Sequence, residues 1–364
     1  MRLGIDTRIT RYPPGGNYWY VTETARRLTE RRPPGWEVLS LDGWPRIARG
    51  GATPAPLRRV TNVAMDVGWL GLGATFEAAR HRLTAWLTTA NMLPPTLPRP
   101  MVTIIHDLNF LQMPELYERS YRTFAEGAYR LTAARASRII VPSEYVRGAV
   151  IDLLDVQPSR VRAIPWGLEH VMADAEPAKT VASDLPRPYA LFVGQTQPHW
   201  NVGALIEAWR VGAGADRGLH LVICGPAGRD DEALRDYVAL AGIGGRVHFT
   251  GQLPPDVLAA AYRGAEMFLY PPKIEGFGYP ALVAMAHGVP TAVSNAGALP
   301  ETTRDGAVLF DPVDTDGIVE LVRRLSDDDV LRRQLLLAGP RVAGTYHWDR
   351  TIEGIWSEVL AASE

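Results

Sequence analysis

The residues best suited to chemistry lie in the stretch KIEGFGYPALVAMAHG, residues 273–288. Here Glu275 precedes the turn Gly276, Phe277 and Gly278, where the backbone can approach a ligand because glycine has no Cβ and accepts positive φ. The helix that follows begins with N–H groups outside its own hydrogen bonding, and these favour an anion. The carboxylate can accept hydrogen bonds from sugar hydroxyls, or it can only cap the helix. The stretch therefore predicts a ligand site.

A second group of candidates lies in the first half of the chain. His106 and Asp107 follow the apolar residues 102–105, so His106 is expected at the carboxyl edge of a sheet, where α/β proteins bind ligands. His106 can hold ligand hydroxyls, or it can be a loop histidine whose ring Asp107 fixes. Asp107 can equally be a helix cap. Gly15 and Gly16 follow the first predicted strand and either bring N–H groups to a diphosphate or an acceptor, or form a simple turn.

Aromatic side chains follow this glycine turn. Tyr18, Trp19 and Tyr20 can stack on the ring of a ligand, or they can belong to the core. We treat Asn17, Tyr18 and Trp19, together with Asp107, as candidate ligand-binding residues.

Short apolar runs alternate with helical patterns along the whole chain, which predicts two doubly wound α/β domains of Rossmann type. We place the first domain at residues 1–172 and the second at 173–345, with the irregular stretch 169–188 as their connection. Residues 346–364 form an amphipathic helix whose apolar face needs a partner. The predicted strands are MRLGIDT, WEVLSLD, VTIIHDL, RIIVPS and VRAIPWG, then YALFVG, LHLVICG, RVHFTG, MFLYPP, PTAVSN and AVLFDP.

Composition limits the class of protein. The chain has 364 residues and one cysteine, Cys224, which excludes an internal disulfide and fits a reducing cytoplasm. It has no apolar run of about 18 residues, and its N-terminus indicates a strand rather than a signal peptide. No metal-binding, Walker, hydrolase-elbow or dinucleotide-binding motif is present. The pI of about 6.5 argues against nucleic acid as a partner.

Charge is divided unevenly along the chain. Residues 1–172 contain 22 Arg and Lys against 15 Asp and Glu, whereas residues 173–364 contain 16 against 25. The basic first half permits an anionic acceptor or peripheral contact with a membrane surface. Alternatively, two halves of opposite sign attract each other.

Several motifs occur together in a characteristic order. They are the turn Pro14, Gly15 and Gly16, then IIHDL, VPSEY, GQTQPHWN (residues 194–201) and the block 273–301 ending in SNAGALPE. In this order they resemble the retaining GT-B glycosyltransferases of the large bacterial mannosyl- and glucosyltransferase family, the family 4 type. The resemblance covers residues 1 to about 360, and the block 273–301 is its most specific part.

The resemblance implies two Rossmann-like domains that face a cleft, with the last helix crossing back to the first domain. The second domain would hold the donor and the first most of the acceptor site, with Asn17, Tyr18, Trp19 and Asp107 as the candidate acceptor-binding residues. Glu275 would orient the donor sugar, His106 would lie beside it, and the loop of Gly297 and Glu301 would frame the nucleotide base.

Three positions depart from the family pattern. A second glutamate, which binds ribose, usually follows eight residues after the first, and here Val283 stands there. The usual Arg and Lys that neutralise the diphosphate are replaced by His199 and Trp200, between Gly194 and Asn201. Losing such cations removes charge-assisted hydrogen bonds of about 1.5–3 kcal/mol each.

Three hypotheses remain for these departures. The donor can be a nucleotide sugar held differently, with His199 and backbone amides on phosphate and Trp200 stacked on a base or sugar. The donor can lack the usual nucleoside diphosphate, as for a coupling enzyme or phosphorylase. The chain can also have lost transfer and only bind.

The activity that the resemblance implies is sugar transfer with retention, without a metal or other cofactor. Its partners are a nucleotide sugar and an acceptor that is a small molecule, a glycan or a lipid-linked molecule. In the proposed front-face mechanism of such enzymes the leaving phosphate takes the acceptor's proton, so a pair of carboxylates at hydrolase spacing is not required.

Overall fold

The structure is a computed structural model that describes residues 1–11, 16–44, 61, 64–66, 68–89, 97, 100–168 and 185–364. The chain divides into two compact units. The first unit consists of Met1–Trp166 and Asp349–Glu364, and the second of Gly167–Trp348. Most of the predicted connection, residues 169–184, lies outside the described residues.

The first unit is built around a parallel sheet with the order β2-β1-β3-β4-β5-β6 among the described strands. Because β1 pairs with β2 on one side and β3 on the other, the direction of winding reverses between β1 and β3. Ligands in open α/β sheets bind at such a point, outside the carboxyl ends of the strands. The strands are β1 (Arg2–Asp6), β2 (Glu37–Leu41), β3 (Ala85–Thr88), β4 (Met101–Ile104), β5 (Arg138–Val141) and β6 (Val161–Ala163).

Helices connect these strands and cover the sheet. Their buried faces contribute Ala78, Ala125, Tyr129 and Val150 to a core that also contains Met101 of β4. The helices are α1 (Gly16–Glu30), α2 (Ala74–Arg80), α3 (Asn109–Gln112), α4 (Arg119–Arg135) and α5 (Glu144–Leu154).

The second unit contains a parallel sheet with the order β12-β11-β10-β7-β8-β9. Its winding reverses between β7 and β10, which is the dinucleotide-fold order. The strands are β7 (Tyr189–Val193), β8 (His220–Cys224), β9 (Val247–Gly251), β10 (Met267–Tyr270), β11 (Thr291–Ser294) and β12 (Val308–Phe310). The helices are α6 (Val202–Arg210), α7 (Asp231–Leu240), α8 (Pro255–Gly264), α9 (Tyr279–Ala286), α10 (Leu299–Thr303), α11 (Thr315–Asp327) and α12 (Asp329–Ala343).

The last helix, α13 (Trp348–Ser363), packs within the first unit for most of its length. Thr351 Oγ1 donates to the carbonyl of Pro165 at 2.7 Å, and the ring of Trp356 meets Trp36 edge-on at 5.4 Å between centroids. These contacts bury the apolar face of the helix.

Short helical turns complete the secondary structure. The 3₁₀ turns are Arg8–Arg11, Pro114–Leu116, Pro158–Arg160, Pro198–Trp200, Ala215–Arg217 and Arg304–Gly306, and Trp69–Gly73 is a π-helical turn.

The predicted fold class is confirmed, since each predicted apolar run contains a strand and both sheets are parallel. Among the described strands, β3 was not predicted, and it lies between β1 and β4. Its apolar run is limited to residues 85–87, because a threonine stands on each side of it, at positions 84 and 88.

Candidate active site

In the first unit, His106 follows β4 at the carboxyl edge of the sheet and is 6% exposed. Two aromatic rings enclose its imidazole. Tyr20 meets it edge-on at 5.3 Å between centroids, Trp166 at 5.1 Å, and the two aromatic rings stack on each other at 4.2 Å. Tyr20 therefore belongs to the wall around His106 and to the core, rather than to an exposed stacking surface.

Burial makes His106 a neutral side chain. Loss of solvation lowers its pKa to about 4, opposed by a hydrogen bond with the backbone of Thr89. Nε2 lies 2.9 Å from the carbonyl oxygen of Thr89. Since a carbonyl only accepts, Nε2 carries the proton and Nδ1 carries the lone pair. At neutral pH the ring is therefore uncharged and cannot act as a cation.

Thr89 links His106 to the end of β1. Its hydroxyl donates to the carbonyl of Asp6 at 2.6 Å. The carboxylate of Asp6 is completely buried and binds Arg8 through both Nε and Nη2. The loops after β1 and β3 are thus tied together at the point where the winding reverses. Thr89 was not predicted as a site residue, because it acts on His106 through its main chain.

The other candidates of the first unit lie near the start of α1 and after β4. Gly16 begins α1, and Gly15 lies outside the described residues. Asn17 is exposed, Trp19 is 39% exposed, and Tyr18 meets it edge-on at 5.3 Å. These three side chains remain candidates for acceptor binding.

Asp107 has a local structural role. Its Oδ1 accepts the N–H of Asn109 at 3.2 Å, at the start of α3. The cap residue of α3 is Leu108, and no side-chain hydrogen bond caps this helix, so the contact of Asp107 is a local turn rather than the helix cap offered as one alternative.

In the second unit, Glu275 lies in the loop after β10, at the reversal between β7 and β10. Its Oε2 accepts the hydroxyl of Tyr270 at 2.7 Å, and its Oε1 accepts the N–H groups of Gly276 and Phe277 at 3.0 and 3.3 Å. Tyr270 is 1% exposed. The N–H groups of Gly276 and Phe277, which were predicted to bind an anionic ligand, thus donate to the carboxylate of Glu275 instead. A carboxylate held on both oxygens keeps further lone pairs for ligand hydroxyls.

Two glycines make this loop conformation accessible. Gly278 caps α9 with φ 84°. Gly297 has φ 60°, and a Cβ there would lie 2.3 Å from the carbonyl oxygen of Glu275. That same carbonyl accepts the N–H of Ala298 at 2.9 Å. The loop of Gly297 therefore supports Glu275 directly.

The loop after β7 contains the predicted phosphate-binding positions. Gly194 has no room for a side chain, since a Cβ would lie 2.9 Å from the Phe192 ring. Asn201 has φ 54° and donates from Nδ2 to the carbonyl of Pro312 at 2.8 Å. Asn tolerates this left-handed conformation better than most residues, so Asn201 stabilises the loop, and its contact with a donor stays a prediction.

His199 and Trp200 form a 3₁₀ turn between these residues, with their ring centroids 4.9 Å apart. Burial lowers the pKa of His199, the carboxylate of Glu275 opposes this, and Arg229 lowers the pKa further. The carbonyl of His199 accepts the N–H of Lys273 at 2.8 Å. The loops after β7 and β10 are therefore joined, and His199 is neutral at pH 7.

Val283 lies on α9 and is 3% exposed. An apolar side chain at this position makes no hydrogen bond to a ribose. The position expected for a second carboxylate is therefore part of the packed interior.

Two further motif residues belong to the starts of helices. The hydroxyl of Ser143 caps α5 by accepting the N–H of Val146 at 3.2 Å. Glu301 lies within α10, the short helix after Gly297.

Comparison with known proteins agrees with this geometry. The family model described as "Glycosyltransferase Family 4" matches residues 77–170, and that of "Glycosyl transferases group 1" matches residues 175–340. The O-antigen chain mannosyltransferase B of Escherichia coli is 28% identical over 267 residues, covering 71% of this chain and 69% of that protein. A D-inositol 3-phosphate glycosyltransferase of Acidothermus cellulolyticus is 31% identical over 236 residues, covering 61% of this chain and 52% of the relative.

Solved structures show the same architecture over the whole chain. The sucrose-phosphate synthase of Thermosynechococcus elongatus has a TM-score of 0.77 at 18% identity, with 99% of both chains covered. HepE of Anabaena in complex with UDP-glucose has a TM-score of 0.73 at 16% identity, again with 99% of both chains covered.

The two parallel sheets, the family matches and the solved structures together identify a glycosyltransferase of the GT-B fold. The chain belongs to the GT-B glycosyltransferases of the family 4 type. Among the residues that the structure describes, no helix combines the length and apolar character needed to span a bilayer.

Proposed function

We propose that this glycosyltransferase moves a hexose-type sugar from a nucleoside diphosphate donor to an acceptor hydroxyl, with retention and without a metal. The second unit would bind the donor and the first unit the acceptor. The observation that carries the proposal is the carboxylate of Glu275, fixed by Tyr270 and by two amides where the winding of the second sheet reverses.

The hydrogen bonds that Glu275 accepts support a role of its carboxylate in orienting the sugar. Both oxygens already accept hydrogen bonds, which hold the carboxylate in place before a ligand arrives. Sugar hydroxyls can donate to its remaining lone pairs, and the fixed geometry removes part of the entropic cost of aligning the reacting atoms. His106 is neutral and enclosed, and it would contribute to the geometry of the reaction centre.

The proposed chemistry proceeds on one face of the sugar. The bond from the anomeric carbon to the phosphate oxygen breaks while the bond to the acceptor oxygen forms, and the acceptor's proton passes to the departing phosphate. Neither His106 nor Glu275 needs to move a proton. The work of the protein is positioning and stabilisation of the charge that develops on the diphosphate.

The relatives support a nucleotide sugar as the donor. HepE of Anabaena has been solved with UDP and with UDP-glucose. The positions that bind ribose and diphosphate in this family are occupied here by Val283, His199 and Trp200. The panel of donors in the assay below therefore varies both the base and the sugar.

The test is a transfer assay with a panel of nucleotide sugars and candidate acceptors. We expect release of nucleoside diphosphate, an anomeric configuration conserved by NMR, and unchanged rates in EDTA. Glu275→Ala and His106→Ala should each abolish transfer and leave the protein folded. Full activity in both variants would refute the assignment of the site.

One alternative is favoured by the same altered positions. A GT-B coupling enzyme or phosphorylase acting on a sugar phosphate would not need the usual diphosphate cations at residues 199 and 200. Turnover with sugar 1-phosphates but not with nucleotide sugars would identify it. Binding without turnover of either donor would indicate a non-catalytic protein.

A further inference from the structure

Three loops of the second unit meet around His199. They follow β7, β8 and β10. The winding reverses between β10 and β7, and β8 is the next strand beyond β7. The loop after β10 is joined to the loop after β7 by the hydrogen bond from Lys273 to His199. The loop after β8 is joined to it by Thr196.

Thr196 is 3% exposed and fixes the loop after β8 at two points. Its hydroxyl accepts the N–H of Gly228 at 2.7 Å, and its carbonyl accepts the N–H of Asp230 at 3.0 Å. A Cβ on Gly228 would lie 2.4 Å from the backbone of Thr196, so only glycine permits this approach. Arg229, the residue between these two anchors, is therefore held beside the loop that carries His199.

Arg229 restores a charge that the loop after β7 lacks. His199 is neutral at pH 7, and Trp200 has no charge, so neither provides a cation for phosphate. The positive charge of the Arg229 guanidinium lies near enough to His199 to lower the pKa of its ring. The side chain of Arg229 is about half-exposed, so a ligand can reach it, and solvent screens its contact with Asp230, where Nε lies 3.8 Å from Oδ1.

We infer that Arg229 binds the diphosphate of the donor, in place of the basic residues that the loop after β7 does not supply. This inference rests on the proposed nucleotide donor. A guanidinium can hold two phosphate oxygens at once, which makes it well suited to a diphosphate. The cation thus comes from the loop after β8 instead of the loop after β7.

The experiment measures binding by calorimetry for the full-length chain with UDP, GDP, inorganic pyrophosphate and the matching nucleosides. The variants are Arg229→Gln and Arg229→Lys. Arg323→Gln is the control, since it removes one positive charge from α11, where Arg323 pairs with Glu320 and Asp327. Thermal unfolding should be unchanged in all three, because both arginines are about half-exposed.

We expect Arg229→Gln to weaken binding of the preferred diphosphate by about 10- to 100-fold, the range for losing a charge-assisted contact. Arg229→Lys should have a smaller effect, and nucleoside affinity should stay the same. Wild-type diphosphate affinity in Arg229→Gln would overturn the role of Arg229 and leave the proposed function intact. An equal loss for nucleosides would show a structural effect and also overturn it. If the wild-type chain binds no diphosphate at all, the donor proposal and this inference both fail.

Discussion

Replacing Tyr270 by phenylalanine tests whether Glu275 acts through a fixed geometry. The substitution removes one hydroxyl from a site that is 1% exposed and leaves the ring in place. The lost contact is the 2.7 Å hydrogen bond to Oε2, while the amides of Gly276 and Phe277 still hold Oε1. The carboxylate should therefore stay in the loop but rotate more freely.

The magnitude follows from the type of hydrogen bond. A bond to a charged acceptor contributes about 1.5–3 kcal/mol, and water can replace part of it at the half-buried carboxylate. We expect the free energy of unfolding to fall by roughly 1–2 kcal/mol. If the geometry of Glu275 matters in the transition state, kcat should fall about 10-fold or more, since 1.4 kcal/mol corresponds to a factor of ten.

Tyr189→Phe provides a matched control. The Tyr189 hydroxyl donates to the carbonyl of Ala261 at 2.7 Å, and the residue begins β7, at the end of the sheet opposite to Glu275. It should lower stability by a similar amount and leave kcat unchanged. The assay is initial-rate kinetics with the donor identified by the nucleotide panel, with kcat and KM determined separately. Wild-type kcat and KM in Tyr270→Phe would refute the claim that Tyr270 positions Glu275.

Three further changes test other parts of the site. In Gly297→Ala the added Cβ would clash with the carbonyl of Glu275. The free energy of unfolding should therefore fall by more than about 2 kcal/mol, and the transfer rate should fall as well. Gly288→Ala, with φ 69° and open space around it, should cost only about 1 kcal/mol of backbone strain and keep activity. Burial lowers the pKa of His106 to about 4 in the folded chain. As the pH falls, this histidine therefore takes up a proton in the unfolded chain before it does so in the folded chain. Stability should therefore be complete above about pH 6.5 and decline by roughly 3 kcal/mol toward pH 4, and urea titrations of His106→Gln should lack this part of the decline. Asn201→Ala should lower the free energy of unfolding by about 1–2 kcal/mol, whereas Asn201→Gly should cost less because it relieves the strain at φ 54°; equal losses in denaturant melts would contradict this.

The sequence was sufficient to predict the fold and the loop of Glu275. Apolar runs of strand length alternate with helical patterns, and the glycines around Glu275 mark a turn that needs unusual backbone angles. Those features are local, so each is visible in a few consecutive residues.

The partners of the site residues could not be predicted in the same way. Thr89 holds His106 through a carbonyl, which every residue has, and it follows a strand of four fully buried residues. Arg229 comes beside His199 only because Thr196 joins two loops about 30 residues apart in the sequence. In the sequence, Tyr270 does not differ from the other apolar residues of β10. Only the structure shows that its hydroxyl donates a hydrogen bond to Glu275. Each of these contacts depends on tertiary structure.

The most direct test of the central claim is the thermal stability of the full chain against UDP, GDP, ADP, CDP and dTDP and their sugars. A ligand present at 100 times its Kd should stabilise the protein by about 2.7 kcal/mol. We expect one nucleoside diphosphate and the corresponding nucleotide sugar to raise the Tm clearly. The increase in Tm caused by the nucleotide sugar should be smaller in Glu275→Ala. No shift with any member of the panel would contradict a nucleoside diphosphate donor.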